Sequence, residues 1–286
     1  RDDVESRGLG DVYKRQGIFM DKMQPIGVLD SGVGGLSVLK CLHQMLPHEN
    51  FIYVGDTART PYGTRTEKEI RSFVGEIIDW LTAKNVKQVV IACNTLTMLG
   101  VDSLRGTHPF RVVGMSKGAQ QLLAASPHKK IGVLATQFTI ASGLHKKAIL
   151  AADPQAQVYP VACPKFVPLI EGEQFDSPEL QQAIAEYTEP FKKAGVEAVI
   201  LSCTHYPFIK EQIEADLGPK VKVLDPAAAT SADAIVALKE EGLLRTEGKG
   251  HLQVCCTADL ARVERLAGRM LPVDECDFSL IDLKKN

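Results

Sequence analysis

"VVIACNTLTML" (residues 89–99) and "VILSCTHYPFI" (residues 199–209) are the same kind of element written twice. Each is a short apolar run ending on a cysteine, Cys93 or Cys203, and each thiol is followed at once by small polar residues. The approaches match as well: "AKNVKQVVIAC" stands against "KAGVEAVILSC". A run of four to six β-branched and aliphatic residues, entered from a helical stretch, reads as a buried strand of a parallel sheet. Asn85 and Gly195 stand at the two helix exits, where a left-handed residue is favoured.

The pattern extends outward from both thiols. Upstream of Cys93, "IGVLD" (residues 26–30) reads as a strand and "GLSVLKCLHQML" as a helix. "NFIYVGD" (residues 50–56) is the next strand, and an amphipathic helix fits residues 66–84, with Ile70, Phe73, Val74, Ile77, Ile78 and Leu81 on one face. "RVVGM" (residues 111–115) is a fourth strand. The order then restarts: "IGVLAT" echoes "IGVLDS", "AQVYPVAC" supplies a strand, a helix fits residues 178–194, and "VKVLDP" echoes "RVVGM". Strands alternating with helices give an α/β fold with a mainly parallel sheet. Repetition of the order gives two similar α/β domains, pseudo-symmetric about a central cleft. The expected division is 24–117 plus 228–286 for the first and 118–227 for the second. "AAATSADAIVALKEEGLL" is a helix expected to return to the first domain, and "HLQVCCT" and "FSLIDL" read as late strands.

Composition narrows the function. The net charge of −2 gives no basic field for nucleic acid or acidic lipid. No apolar run approaches the ~18 residues of a membrane span. Seven cysteines, an odd count in a chain too long to need disulfides, read as reduced thiols of a cytoplasmic protein. "RDDVESRGLGDVYKRQ" lacks apolar periodicity and a signal-peptide core. Residues 1–22 are expected to be a leader foreign to the fold, with the true start at Met20 or Met23.

In open α/β sheets, ligands bind beyond the carboxyl ends of strands, where Cys93 and Cys203 both stand. If a helix follows each thiol, its N-terminus favours thiolate. Two related halves face to face would set the thiols across one cleft. Inverting a stereocentre needs a base on one face of a carbon and an acid on the other, and two thiols supply both. "DSGVGGLS" (residues 30–37) is the first strand-to-helix turn. Its Gly32, Gly34 and Gly35 free backbone N–H groups for an anion, with a carboxylate the better guess, since neither the P-loop nor the G-x-G-x-x-G spacing is present. Asp30 at the strand end can bond a ligand ammonium or a thiol, or simply cap the helix. In "GDTARTPYGTRT", Tyr62 and Gly63 are placed to close over a small ligand, or to form a plain surface turn. His205 beside Cys203 can tune that thiol.

Together, "GVLDSGVGGLSVL", "YVGDTARTPYG", "ACNT", "SCTHYP" and "LDPA" resemble glutamate racemase, of the cofactor-independent aspartate/glutamate racemase superfamily, over roughly residues 26–271. The resemblance implies an isomerase that interconverts L- and D-glutamate for peptidoglycan, in the cytoplasm, as a homodimer, with no cofactor. It implies that Cys203 takes the Cα proton from L-glutamate and Cys93 from D-glutamate, assisted by His205 and Asp30 respectively. Asp30, Ser31, Tyr62, Gly63, Asn94, Thr95, Thr204 and His205 correspond to the family's substrate contacts. Many members follow "ACNT" with small residues, whereas Leu96, Thr97 and Met98 stand here, so the orientation of Leu96 bears on pocket size. Aspartate or a hydantoin is an alternative substrate. A thiol redox sensor or a zinc module using Cys93, Cys203 and His205 is an alternative of another class. Against zinc, no C-x₂-C pair is present, and Cys255 and Cys256 are adjacent.

Overall fold

The computed structural model describes residues 20–99, 104 and 107–284. Residues 1–19 of the expected leader lie outside the described residues. Lys22, at the end of that segment, is tied to the fold through its carbonyl, which accepts from Lys87 Nζ at 2.6 Å.

Two wholly parallel sheets form the frame. The first holds β1 (Ile26–Asp30), β2 (Phe51–Gly55), β3 (Gln88–Ile91), β4 (Arg111–Val113), β9 (Leu252–Cys256) and β10 (Cys276–Leu280), in the order β10-β9-β2-β1-β3-β4. The second holds β5 (Lys130–Ala135), β6 (Gln157–Ala162), β7 (Ala198–Ser202) and β8 (Lys222–Leu224), in the order β6-β5-β7-β8. Laid against one another, β6-β5-β7-β8 repeats β2-β1-β3-β4. The late strands β9 and β10 are an addition at the β2 edge. Pro160 sits within β6, an edge strand, where a missing N–H costs no ladder bond.

Local sequence sets the elements that frame the thiols. Helix α1 (Leu36–Met45) follows β1. Helix α2 (Glu67–Ala83) begins at a capping box: Thr66 Oγ1 accepts from Glu69 N, and Thr66 N donates to Glu69 Oε2 at 2.8 Å. Its buried face is Ile70, Val74, Ile77, Ile78, Trp80 and Leu81, with Phe73 half-buried at the margin. Chain exit from α2 runs through Asn85 at φ 55°. Helix α3 (Asn94–Met98) follows Cys93, and α4 (Ala119–Ala124), α5 (Gln137–Ser142) and α6 (Leu144–Ala152) lie in the second half. Helix α7 (Phe166–Glu171) follows β6. Helix α8 (Pro178–Ala194) is the repeat of α2: Ser177 caps it, Pro178 takes the first position, and Gly195 at φ 67° ends it. The two left-handed exits set the same path into β3 and β7.

Alternating strand residues feed different cores. Leu29, Val54, Val89 and Ile91 pack on the α2 side of the first sheet. Val28, Tyr53 and Val90 point the other way, into a core that runs on without a break to Leu134, Val199 and Leu201 of the second sheet. A third cluster, with Ile131, Val133, Ala198 and Ile200, covers the outer face of that sheet. The chain passes between the halves twice, after β4 and after β8. Helix α9 (Lys210–Leu217) precedes β8, and α10 (Ala227–Glu240) follows it and packs against α1 and β4. Helix α11 (Leu260–Ala267) joins β9 towards β10. No helix among the described residues is long and apolar enough to cross a membrane.

Candidate active site

Strand ends deliver the groups. β1, β3 and β7 end at Asp30, Ile91 and Ser202, so Asp30, Cys93 and Cys203 all leave the carboxyl edges of their sheets. The uninterrupted core between the sheets brings those edges together. Gly34 shows how closely: a Cβ placed there would lie 2.5 Å from His205 Nδ1 and 2.6 Å from Thr204 Oγ1. Ser37 Oγ donates across the same seam to Thr204 O at 2.9 Å. The glycine at 34 is what lets the "SCTH" corner of the second half reach the first.

The glycine turn does cradle anions, but they are the protein's own. Gly32 N and Gly35 N donate to Asp30 Oδ2 at 3.2 and 2.9 Å, and the Val33 backbone favours the charge of Glu171. Two of the three glycine N–H groups expected to meet a ligand carboxylate are thus engaged by Asp30. Asp30 is fully buried, and burial raises its carboxyl above the usual range, against the opposing pull of His205 and the turn N–H groups. Tyr53 Oη donates to Gly32 O at 2.6 Å and stands 3.4 Å from Asp30 Oδ2, fixing turn and carboxylate together.

Cys93 is 6 % exposed and caps α3. Ser31 Oγ lies 3.8 Å from its sulfur, and the Leu96 backbone also favours its thiolate. Burial is the larger influence: with the Asp30 charge and Cys203 nearby, it pushes the thiol well up, so Cys93 rests protonated. Cys203 is 7 % exposed, with His205 Nδ1 3.9 Å from its sulfur. The expectation of a helix directly after each thiol holds only for Cys93. After Cys203 the chain makes a turn and a 3₁₀ segment, Tyr206–Ile209, before α9 begins at Lys210.

His205 carries a chain of charges that the sequence did not disclose. Its Nε2 lies 2.6 Å from Glu171 Oε1, and Glu171 Oε2 pairs with Arg262 Nη1 at 3.1 Å. Burial alone opposes a charge on His205, but its bonds to Cys203 and Glu171 override it and hold the imidazole protonated well above its ordinary range. Burial likewise opposes charge on Glu171, and His205 and Arg262 override it, holding the carboxylate ionised. Glu171 ends a short helix in "FVPLIEGE", and Arg262 lies in an ordinary amphipathic helix; neither stretch has a spacing that marks it.

The other sequence candidates fall into two groups. Asn94 is 3 % exposed, and its side-chain N and O have no partner among the described residues; Asp30 Oδ1 is in the same position. Polar atoms buried this deeply are costly unless something bonds them. Thr95 and Thr204 are buried beside the thiols. Tyr62, by contrast, has its side chain bound within the first sheet's core: it is 2 % exposed, packs on Phe73, donates to Asp56, and shares its cluster with Cys93. Gly63 is exposed, and a Cβ added there would meet nothing within 4 Å. At these two positions the backbone is what is left to face a ligand, and the Thr60 hydroxyl of the same loop lies against Gly32. Leu96 is 4 % exposed and packs with Leu29, Val54, Tyr62 and Ile91 in the first-domain core. It fills that core beside Cys93. A cavity of about 480 Å³ lies behind the Tyr62 loop, lined by Asp56, Arg59, Thr257 and Ile281 among others, away from the thiols. Among the described residues, no cluster of three or more His, Cys, Asp or Glu is arranged to hold a metal ion.

The profile of the Asp/Glu/Hydantoin racemase family matches residues 26–234. "Glutamate racemase 2" of Caldanaerobacter subterraneus is 40% identical over 263 residues, covering 92% of this chain and 98% of the relative. Among solved structures, glutamate racemase isoform RacE1 of Bacillus anthracis superposes with a TM-score of 0.85 at 32% identity, covering 92% of this chain and 98% of that one. Francisella tularensis glutamate racemase, solved in complex with D-glutamate, gives 0.81 at 31% identity, over 93% of this chain and 100% of that one.

Proposed function

We propose, from the premise that the chain belongs to the Asp/Glu/Hydantoin racemase family and is a glutamate racemase in its activity, that it inverts Cα of glutamate by proton transfer between Cys93 and Cys203. The observation that carries this reading is the pair of buried thiols at matching strand ends of two repeated sheets, met across a seam that a single glycine makes possible.

The roles follow from the surroundings of each sulfur. L-glutamate enters with its Cα between the thiols. Cys203 removes the proton, and Cys93, held as a thiol, delivers its own to the opposite face. The intermediate is a carbanion-like species, and the unpaired Asn94 amide and the Thr95 and Thr204 hydroxyls are the groups at hand for the substrate's carboxylates. Asp30 accepts from the substrate ammonium or from the Cys93 thiol. His205, protonated and braced by Glu171, stands beside Cys203, and in the direction from D-glutamate, where Cys203 gives its proton to Cα, it is the donor that returns one to that sulfur. From D-glutamate the same path runs backward, with Cys93 as base. The proton inventory balances: one leaves Cα to a sulfur, one arrives from the other sulfur, and the two sulfurs exchange states.

No cofactor is part of this proposal, because both acid and base are side chains of the chain. Its further parts, resting on the family resemblance, are a homodimer, a cytoplasmic location and the supply of D-glutamate for peptidoglycan. An assay of both enantiomers of glutamate and aspartate tests the substrate. Racemisation of glutamate with aspartate left unturned is expected; a preference for aspartate overturns it.

A further inference from the structure

One hydroxyl joins the residue that bears the first thiol to the first passage between the halves. Thr97, one turn after Cys93 in α3, donates from Oγ1 to the Cys93 carbonyl at 2.8 Å and accepts from Met115 N at 3.0 Å. Met115 is buried and opens the segment that leads from β4 into α4. A second hydroxyl joins that segment to the other passage. Thr230, with no exposed surface, accepts from Ser116 N at 2.9 Å and donates to Pro226 O at 2.9 Å; Pro226 follows β8 and caps α10. The bonded path therefore runs Pro226, Thr230, Ser116, Met115, Thr97, Cys93.

Back-bonding by a Thr hydroxyl to the carbonyl four residues earlier is common inside helices. Ser231 does the same to Ala227 O at 2.7 Å, and its other polar neighbour is the Cys41 thiol of α1, not a passage between the halves. Thr97 and Thr230 differ because each also accepts an N–H from a passage between halves. Both thiols and Asp30 are nearly or wholly buried, and any parting of the halves that admits substrate bends the backbone at the two passages.

Resting on the two-thiol reading, we propose that Thr97 is a positioning residue that seats Cys93 by reference to the passage between the halves, and that Thr230 clasps the two passages together. Closure then sets the sulfur as well as the walls of the site. Movement of Met115 pulls on the α3 turn through Thr97, and the Cys93 backbone follows.

The test uses Thr97→Val, Thr97→Ser and Thr230→Val in the full chain, with Ser231→Ala as a buried hydroxyl that accepts no N–H from a passage. Rates are measured with protiated and Cα-deuterated substrate in both directions. A misplaced Cys93 slows transfer at that sulfur alone. The Cα-deuterium isotope effect is then expected to rise for D-glutamate, where Cys93 is the base, and to fall for L-glutamate, where Cys203 is. A loss of kcat on the order of tenfold is expected for Thr97→Val, as for one lost hydrogen bond at a reacting group. Thr97→Ser is expected to restore both, and Thr230→Val to show the same asymmetry more weakly. Should Thr97→Val not fold, Thr230→Val against Ser231→Ala decides. Isotope effects that are unchanged, or that move equally in both directions, overturn the proposal. Cys93→Ala in the same series separates the two failures: if it retains activity, the two-thiol reading itself is wrong.

Discussion

Cys93 and Cys203 stand at the same point of the same repeated unit, yet their neighbours are opposite in sign. Cys93 faces a buried carboxylate, Asp30, with Ser31 at 3.8 Å and a helix turn beneath it. Cys203 faces a protonated imidazole, His205, which is backed by Glu171 and Arg262. The strand order is repeated, and on the proposed mechanism it puts a sulfur on each face of the substrate. The surrounding side chains differ: burial and Asp30 hold Cys93 as a thiol, and a protonated His205 stands beside Cys203. The reaction proposed is symmetric in its chemistry, and the site that would run it is not.

The sharpest way to break the comparison is to remove one sulfur. Cys93→Ala and Cys203→Ala are each expected to lower kcat in both directions by roughly 10²–10⁴-fold, the range for a general acid or base, with the fold retained. A single variant that keeps near-parental rates both ways removes that thiol from the mechanism.

Next come the groups beside the sulfurs. Asp30→Asn and His205→Gln are expected to cost roughly 10–100-fold, as for the loss of a charged hydrogen bond at a reacting group. Their isotope effects should differ: Asp30→Asn raises the one measured from D-glutamate, His205→Gln the one from L-glutamate. Identical behaviour would mean that the two sides are not specialised.

Glu171→Gln acts one step further out, on His205. Glu171 holds a proton on His205 above the imidazole's ordinary range, so activity that needs that proton persists to higher pH in the parent. Without the carboxylate the imidazole loses its proton at lower pH, and the alkaline limb of kcat/KM should move towards neutrality. An unmoved limb would show that the ion pair is only structural.

Leu96→Ala is expected to have the smallest effect on activity. The side chain packs in the first-domain core, so its loss should cost roughly 2–5 kcal/mol of stability, visible as a lower Tm, with KM near the parent's. A large change in KM would place Leu96 in the pocket after all.

The frame was legible because local signals carry it. "IGVLD" is β1 to the residue, the α2 face follows helical spacing, and Asn85 and Gly195 both adopt the left-handed exits. The thiols were legible because their strands are written twice. Glu171 and Arg262 were not, since Glu171 is 34 residues from its partner His205, Arg262 is 91 from its partner Glu171, and no period links them. The glycine turn read as an anion cradle holds Asp30 on two of its N–H groups, and a sequence does not say which carboxylate folds back onto it. The side chain of Tyr62 is held by Asp56 and Phe73, contacts of tertiary packing that its place in a strand-end loop does not announce.

Isotope tracing puts the two-sulfur assignment most directly at risk. L-glutamate is incubated with the enzyme in D₂O and the reaction is stopped early. Cys203 takes the Cα proton as hydrogen, and Cys93, exchanged with solvent, delivers deuterium to the other face. The D-glutamate formed should carry deuterium at Cα while recovered L-glutamate stays protiated, and the mirror pattern should appear from D-glutamate. Deuterium entering recovered substrate as fast as product forms would contradict this, and would assign both faces to one exchanging base.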